Sequence, residues 1–297
     1  MPATRVAVAG DTGLNPLFVG CARAVVAAAL AAMLLVALRV TPPTPRQWLR
    51  LLPVSLGVVA GFPILTSLAM TQTTAGHAAV VIGLLPAATA VVAVLLTGER
   101  PSPRFWIGAA LGVAATAVFT VVTQGSLGSV GGSDLALLAA VGLAALGYAQ
   151  GGRVAREIGS WQTICWALVL AAPVMIAGSA VSITISPPQA DAGQWAAFAY
   201  LGTVSMFLGF FAWYRGLAIG PMTTVSQVQL VQPVLTLGWA IPLLDEPLTM
   251  PVVVGGLAVI GCAAFTVRSR VGATNRRVGT PNDRVGAANR RVGIPHR

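Results

Sequence analysis

Runs of about 20 apolar residues recur along almost the whole of this sequence, and no other feature restricts its fold so severely. They cover residues 16–38, 51–71, 75–97, 105–123, 133–153, 161–183, 195–216, 221–244 and 251–267. Charged residues are 9% of the 297 and apolar residues 56%. A soluble fold carries roughly a quarter charged residues, so the polar surface is too small to cover a water-facing protein. Inside a bilayer no water satisfies the backbone, which makes each run a helix. The expected fold is all-α, a polytopic membrane bundle.

The connections carry helix-end punctuation: Thr41-Pro-Pro-Thr-Pro45, Gly98-Glu-Arg-Pro-Ser-Pro103, Gly125-Ser-Leu-Gly128, Ser186-Pro-Pro188 and Asp245-Glu-Pro247. Pro63, Pro86, Pro173 and Pro233 lie inside runs, where neighbouring helices can satisfy the freed carbonyls. Trp48, Trp106, Trp161 and Trp195 stand near run starts, as interfacial anchors do.

The formal net charge is +10, which in isolation suggests nucleic acid, but the arginines are distributed as a topology signal. All 18 basic residues are arginine. Arg39, Arg46, Arg50, Arg100, Arg104, Arg153, Arg156 and Arg215 fall at alternate ends of successive runs, and the loops between (71–75, 124–133, 184–194 and 245–250) contain none. The positive-inside rule then places the C-terminus in the cytoplasm of a protein in the cell membrane. Nine spans put the N-terminus outside. Residues 268–297 hold most of the remaining charge, with Arg-Val-Gly recurring at 270, 277, 284 and 291. One valine per seven residues, a glycine in each unit, and Pro281 and Pro295 are incompatible with a coiled coil. A disordered cytoplasmic tail is expected, drawn to anionic lipid or without function. No nucleic-acid partner is implied.

Several chemistries are excluded by composition. Without lysine there is no Schiff base and no Walker-type phosphate loop. Cys21, Cys165 and Cys262 are isolated in apolar runs, with neither a disulfide framework nor metal spacing. Two histidines, His77 and His296, cannot build a metal cluster. No cofactor, metal or catalytic residue is expected.

An internal repeat is present. Pro86 precedes Glu99 by thirteen residues and Pro233 precedes Glu246 by thirteen, with each member 147 residues from its counterpart. The arginine pattern places Glu99 inside and Glu246 outside, so an odd number of spans separates equivalent points. This is an inverted-topology repeat. The second copy comprises five spans, 133–267; the first, within 1–123, has four. Arg5-Val-Ala7 corresponds to Arg153-Val-Ala155, so the first residues read as the last turns of a helix begun upstream, nine helices of an expected ten.

These residues resemble the drug/metabolite transporter superfamily, in particular its EamA-type members. The resemblance rests on Pro86…Gly98-Glu99 and Pro233…Asp245-Glu246, supported by Phe211-Ala-Trp-Tyr-Arg-Gly-Leu-Ala218 and Leu17-Phe-Val-Gly-Cys-Ala-Arg23. It covers about residues 5–267 and implies duplicated five-helix units in opposite orientation, with transport of a small organic solute, by resemblance more often export.

The runs contain no carboxylate, since all eight acids fall at ends or in loops. His77 is the one titratable relay candidate, and its place near a helix end also suits an interfacial histidine. The densest polar stretch, Thr223–Pro233, places Ser226, Gln229 and Gln232 on one arc of a helix. Such amides line a wet cavity or bond between helices; their counterparts are Ala79, Ile82 and Leu85. Tyr148, Trp213 and Tyr214 suit either a solute wall or an interfacial belt. Arg23, two turns inside its span, suits a substrate anion or backbone carbonyls. Glu99 and Glu246 read as helix-end or gating residues. The runs Gly108–Gly112 and Gly142–Gly147 allow close helix approach.

The reading is a secondary carrier for a small organic metabolite or drug-like solute, working by alternating access, with membrane lipid around it and a homodimer left open. The competing readings are an intramembrane enzyme on a lipid-like substrate and a non-transporting truncated form.

Overall fold

A computed structural model of the chain describes residues 2–8, 14–73, 78, 81–124 and 132–232, with single positions up to 261. Regular structure among the described residues is entirely helical. It comprises α1 (Pro2–Val8), α2 (Pro16–Ala37), α3 (Pro45–Ala69), α4 (Leu85–Thr97), α5 (Pro103–Gln124), α6 (Gly132–Ile158), α7 (Ser160–Ile185), α8 (Ala192–Ile219) and α9 (Met222–Ser226). A 3-10 turn, Gln227–Val231, continues α9. Helices α2, α3, α6, α7 and α8 are 22 to 28 residues long and apolar enough to cross a bilayer. They coincide with five of the expected spans. Helices α3 and α6 exceed their apolar runs because the polar segments 45–50 and 154–158 remain helical. The basic tail, Pro233, Glu246 and His77 lie outside the described residues.

The expected span 75–97 is divided. Residues 81–82 are helical, 83–84 form a turn, and α4 begins at Leu85. Pro86 has no N–H to offer the carbonyl four residues earlier, which explains the interruption there. The 3-10 turn Gln227–Val231 occupies the corresponding place before Pro233. At the far end of α4, Gly98 takes φ 67° and its N–H closes on the Val94 carbonyl at 3.0 Å. This left-handed cap stops the helix and sends the chain on to Glu99.

The 147-residue offset reappears as geometry. The Thr44 amide donates to Gln47 Oε1 at 2.8 Å at the start of α3, and the Asp191 amide donates to Gln194 Oε1 at 2.9 Å at the start of α8. Each helix then widens into a π stretch, Ser55–Gly61 in α3 and Leu201–Leu208 in α8. The stretches close with Phe62 N–H on Gly57 O and with Gly209 N–H on Val204 O, again 147 apart. At the C-termini, Arg5 Nη1 donates to the Met70 carbonyl and Arg156 Nη2 to the Leu217 carbonyl. The two acceptor carbonyls are again 147 residues apart.

These contacts also give the inversion. Arg50, near the start of α3, pairs with Glu157 at the end of α6. Arg156, beside Glu157, binds the carbonyls of Leu217, Ala218 and Gly220 where α8 ends. Helix α3 therefore starts at the end of the bundle where its counterpart α8 stops. Helices α2 and α7, another equivalent pair, pack extensively along each other. The Cβ position of Gly178 lies 2.7 Å from Cys21 Sγ, joining the beginning of one to the later part of the other.

Lipid is as apolar as a core side chain, so close packing rather than water exclusion holds such helices together. A Cβ on Gly57 would stand 2.1 Å from the Leu143 carbonyl oxygen, and one on Gly147 would stand 2.6 Å from Val58 Cγ2. The π stretch of α3 is thereby seated against α6. Gly147 fulfils the close approach anticipated for its small-residue run, whereas Gly142 meets nothing within 4 Å. The outward faces carry exposed apolar side chains such as Val36, Leu95, Val174, Ile185 and Ile219, as a surface solvated by acyl chains requires.

Candidate functional site: a cavity shared by the two halves

A cavity of about 430 Å³ lies within the bundle, in the size range of small-molecule sites. Its walls come from both halves in matched pairs. Val58 and Ser205, Phe62 and Gly209, Pro63 and Phe210, Thr66 and Trp213, and Leu85 and Gln232 all line it. Each pair is 147 residues apart, so the cavity straddles the pseudo-two-fold relation between halves. The two π stretches border it directly, through Val58 on one side and Leu201, Val204, Ser205 and Met206 on the other.

The structure brings Arg23, Tyr148, Trp213, Gln229 and Gln232 together around this space. Arg23 projects from the second turn of α2 and is 6% exposed. Its Nε has no hydrogen-bond partner among the described residues, and none of the described lining residues is an Asp or Glu. Tyr148 and Trp213 were expected near helix ends; α6 continues to Ile158 and α8 to Ile219, which places both rings inside the bundle. Tyr148 stands edge-on to Trp213 at 5.3 Å between ring centroids and 6.1 Å from Phe210. Its hydroxyl interacts with the Gln229 side chain. Gln229 Oε1 and Trp213 Nε1 are buried without partners among the described residues.

Two candidates lie off the lining. The Tyr214 ring is fully buried against Gly151, and its hydroxyl reaches the Gly147 carbonyl at 3.4 Å. Ser226 donates to the Pro86 carbonyl at 3.2 Å and to the Thr223 carbonyl at 2.9 Å. Gln227 Nε2 reaches the same Pro86 oxygen at 3.2 Å. Ser226 and Gln227 therefore join α9 to the proline break of α4.

Glu99 completes that junction. Its carboxylate accepts the Met222 amide at 2.9 Å, the Thr223 amide at 3.2 Å and the Thr223 hydroxyl at 2.7 Å. A carboxylate is thus supplied from α4 of the first half to the opening amides of α9 in the second, which have no intrahelical acceptors of their own. This contact lies at the Arg50–Glu157 end, where Arg156 binds Gly220 O. The cavity extends the other way, toward Ala3, Thr4 and Tyr200.

Sequence reasoning missed Thr66, Phe62, Phe210 and Ser205 as lining residues. Extending the 147-residue correspondence from Trp213 back to Thr66 was the signal that would have found them.

Two segments of the chain, residues 5–121 and 132–268, match the EamA-like transporter family. The chain belongs to that family. An EamA-like chain of this kind is a multi-pass membrane transporter and not an enzyme. It is 42% identical over 268 residues to a Bacillus subtilis (strain 168) protein named "Uncharacterized transporter YdeK", covering 90% of this chain and 92% of that one. A solved crystal structure superposes with a TM-score of 0.69 at 19% identity, over 89% of this chain and 96% of the other. That similarity shows a shared fold.

Proposed function

We propose that this transporter is a secondary carrier that moves a small organic solute by alternating access, with the shared cavity as its binding site. The observation that carries this reading is the paired lining: five positions from each half, equivalent in sequence, face one space. In inverted-repeat carriers the solute sits where the repeats meet, and rocking of one repeat against the other exposes it to either side. The Glu99 clamp on Met222 and Thr223 closes the arginine-bearing end in this state. By the positive-inside rule that end is cytoplasmic, so the state is occluded from the cytoplasm with the cavity directed outward. Export is the proposed direction, on the family resemblance alone.

The experiment is solute counterflow in proteoliposomes. The purified chain should exchange labelled solute without altering it chemically, and a cysteine at Thr66 should be labelled from the outer side until solute protects it. Chemical conversion of the solute, or labelling insensitive to every solute exchanged, would overturn the proposal.

A further inference from the structure

Resting on the carrier reading above, we propose that the solute is an organic anion, a carboxylate joined to a flat apolar body, and that Arg23 holds the carboxylate. A guanidinium withdrawn from water without a counter-charge is strongly destabilised. Arg23 is in that position, buried at the cavity wall with Nε unpartnered among the described residues. The planar fork of an arginine matches a carboxylate with two parallel hydrogen bonds, so a bound anion supplies what the protein omits.

The rest of the wall defines the remainder of the solute. Among the described residues the lining contains no carboxylate to pair with an ammonium, and the Arg23 guanidinium repels one, so a monoanion is preferred to a cation or a zwitterion. Tyr148, Phe210 and Trp213 form a connected group of rings against which a flat apolar body can lie. Gln229 Oε1 offers a free acceptor and Trp213 Nε1 a free donor. A neutral polar link such as an amide, placed between the carboxylate and the ring, satisfies both.

Hippurate has these three parts, and hippuramide differs from it only in replacing the carboxylate by a neutral amide. Each is titrated into the full chain in detergent by calorimetry, together with phenylacetate and phenylacetamide. The acid of at least one pair should bind about tenfold or more tighter than its amide. Arg23→Gln should erase the difference, and Arg23→Lys should keep part of it. Equal binding of acids and amides, tighter binding of the amides, no binding by either acid, or discrimination that survives Arg23→Gln would each overturn the proposal. Should Arg23→Gln fail to fold, the wild-type ratio and its reduction in Arg23→Lys decide. Counterflow separates the two levels of the argument. Acids that bind but do not exchange leave the anion site standing and remove the carrier; exchange that favours amides does the reverse.

Discussion

Glu99 receives the amide of Thr223 at 3.2 Å and its hydroxyl at 2.7 Å, so that one carboxylate from the first half of the chain holds the start of a helix in the second. Replacing it by glutamine leaves a single acceptor oxygen and turns an N–H₂ group toward backbone N–H groups. Hydrogen bonds to a charged acceptor contribute about 1.5–3 kcal/mol. In a background with Cys21, Cys165 and Cys262 replaced, a cysteine at buried Ser226 should therefore react about tenfold faster or more in Glu99→Gln with an impermeant maleimide applied at the Arg50 side. An unchanged rate would remove Glu99 as the closure.

Gly98 aims that carboxylate. At φ 67° an alanine costs about 1–2 kcal/mol, with no steric contact to blame. Gly98→Ala should lower thermal stability by that amount and should couple to Glu99→Gln. In a double-mutant cycle the combined loss is expected to be smaller than the sum. Strict additivity would show that the two residues act separately.

The seat of α3 on α6 has an internal control. Gly57→Ala places a methyl 2.1 Å from the Leu143 carbonyl oxygen, which must move, whereas Gly142→Ala meets nothing within 4 Å. Overpacking of this kind costs about 1–3 kcal/mol. Melting of the purified protein in detergent should fall by several degrees for the first substitution and stay unchanged for the second.

Lining and linking residues should separate kinetically. Gln229→Ile and Gln232→Leu give the second half the residues present in the first, Ile82 and Leu85. Each should weaken solute affinity about three- to tenfold in counterflow, the loss of roughly one hydrogen bond. Ser226→Ala breaks the contact with Pro86 O and should lower stability while leaving affinity for the solute alone. The reverse pattern would assign the solute to Ser226.

Spans, repeat offset and several cavity residues were legible in the sequence because each leaves a local trace. Apolar length marks a span, a proline thirteen residues before a glutamate marks the doubled helix, and spacing on an arc groups Gln229 with Gln232. The π stretches left no such trace: Ser-Leu-Gly-Val-Val-Ala-Gly and Leu-Gly-Thr-Val-Ser-Met-Phe-Leu are compatible with an ordinary helix, and their widening is a matter of hydrogen-bond register. Glu99 was recognisable as a helix-end residue, but its partner Thr223 is 124 residues away and emerges only from tertiary packing. Ser226 shares an arc with the glutamines, yet its hydroxyl goes to the Pro86 carbonyl across the junction with α4. On sequence Tyr148 and Trp213 suit a solute wall and an interfacial belt alike, because apolar length ends before the helix does.

The paired lining has a thermodynamic consequence. Under the proposed alternating access, two identical halves would give outward- and inward-directed shapes built from the same parts exchanged, and so of equal free energy. Phe62 in the place that Gly209 holds in the other half, Thr66 for Trp213 and Leu85 for Gln232 break that degeneracy. On that proposal the resting bias is written in a few mismatched pairs, and exchanging the members of one pair alters it without redesigning the scaffold.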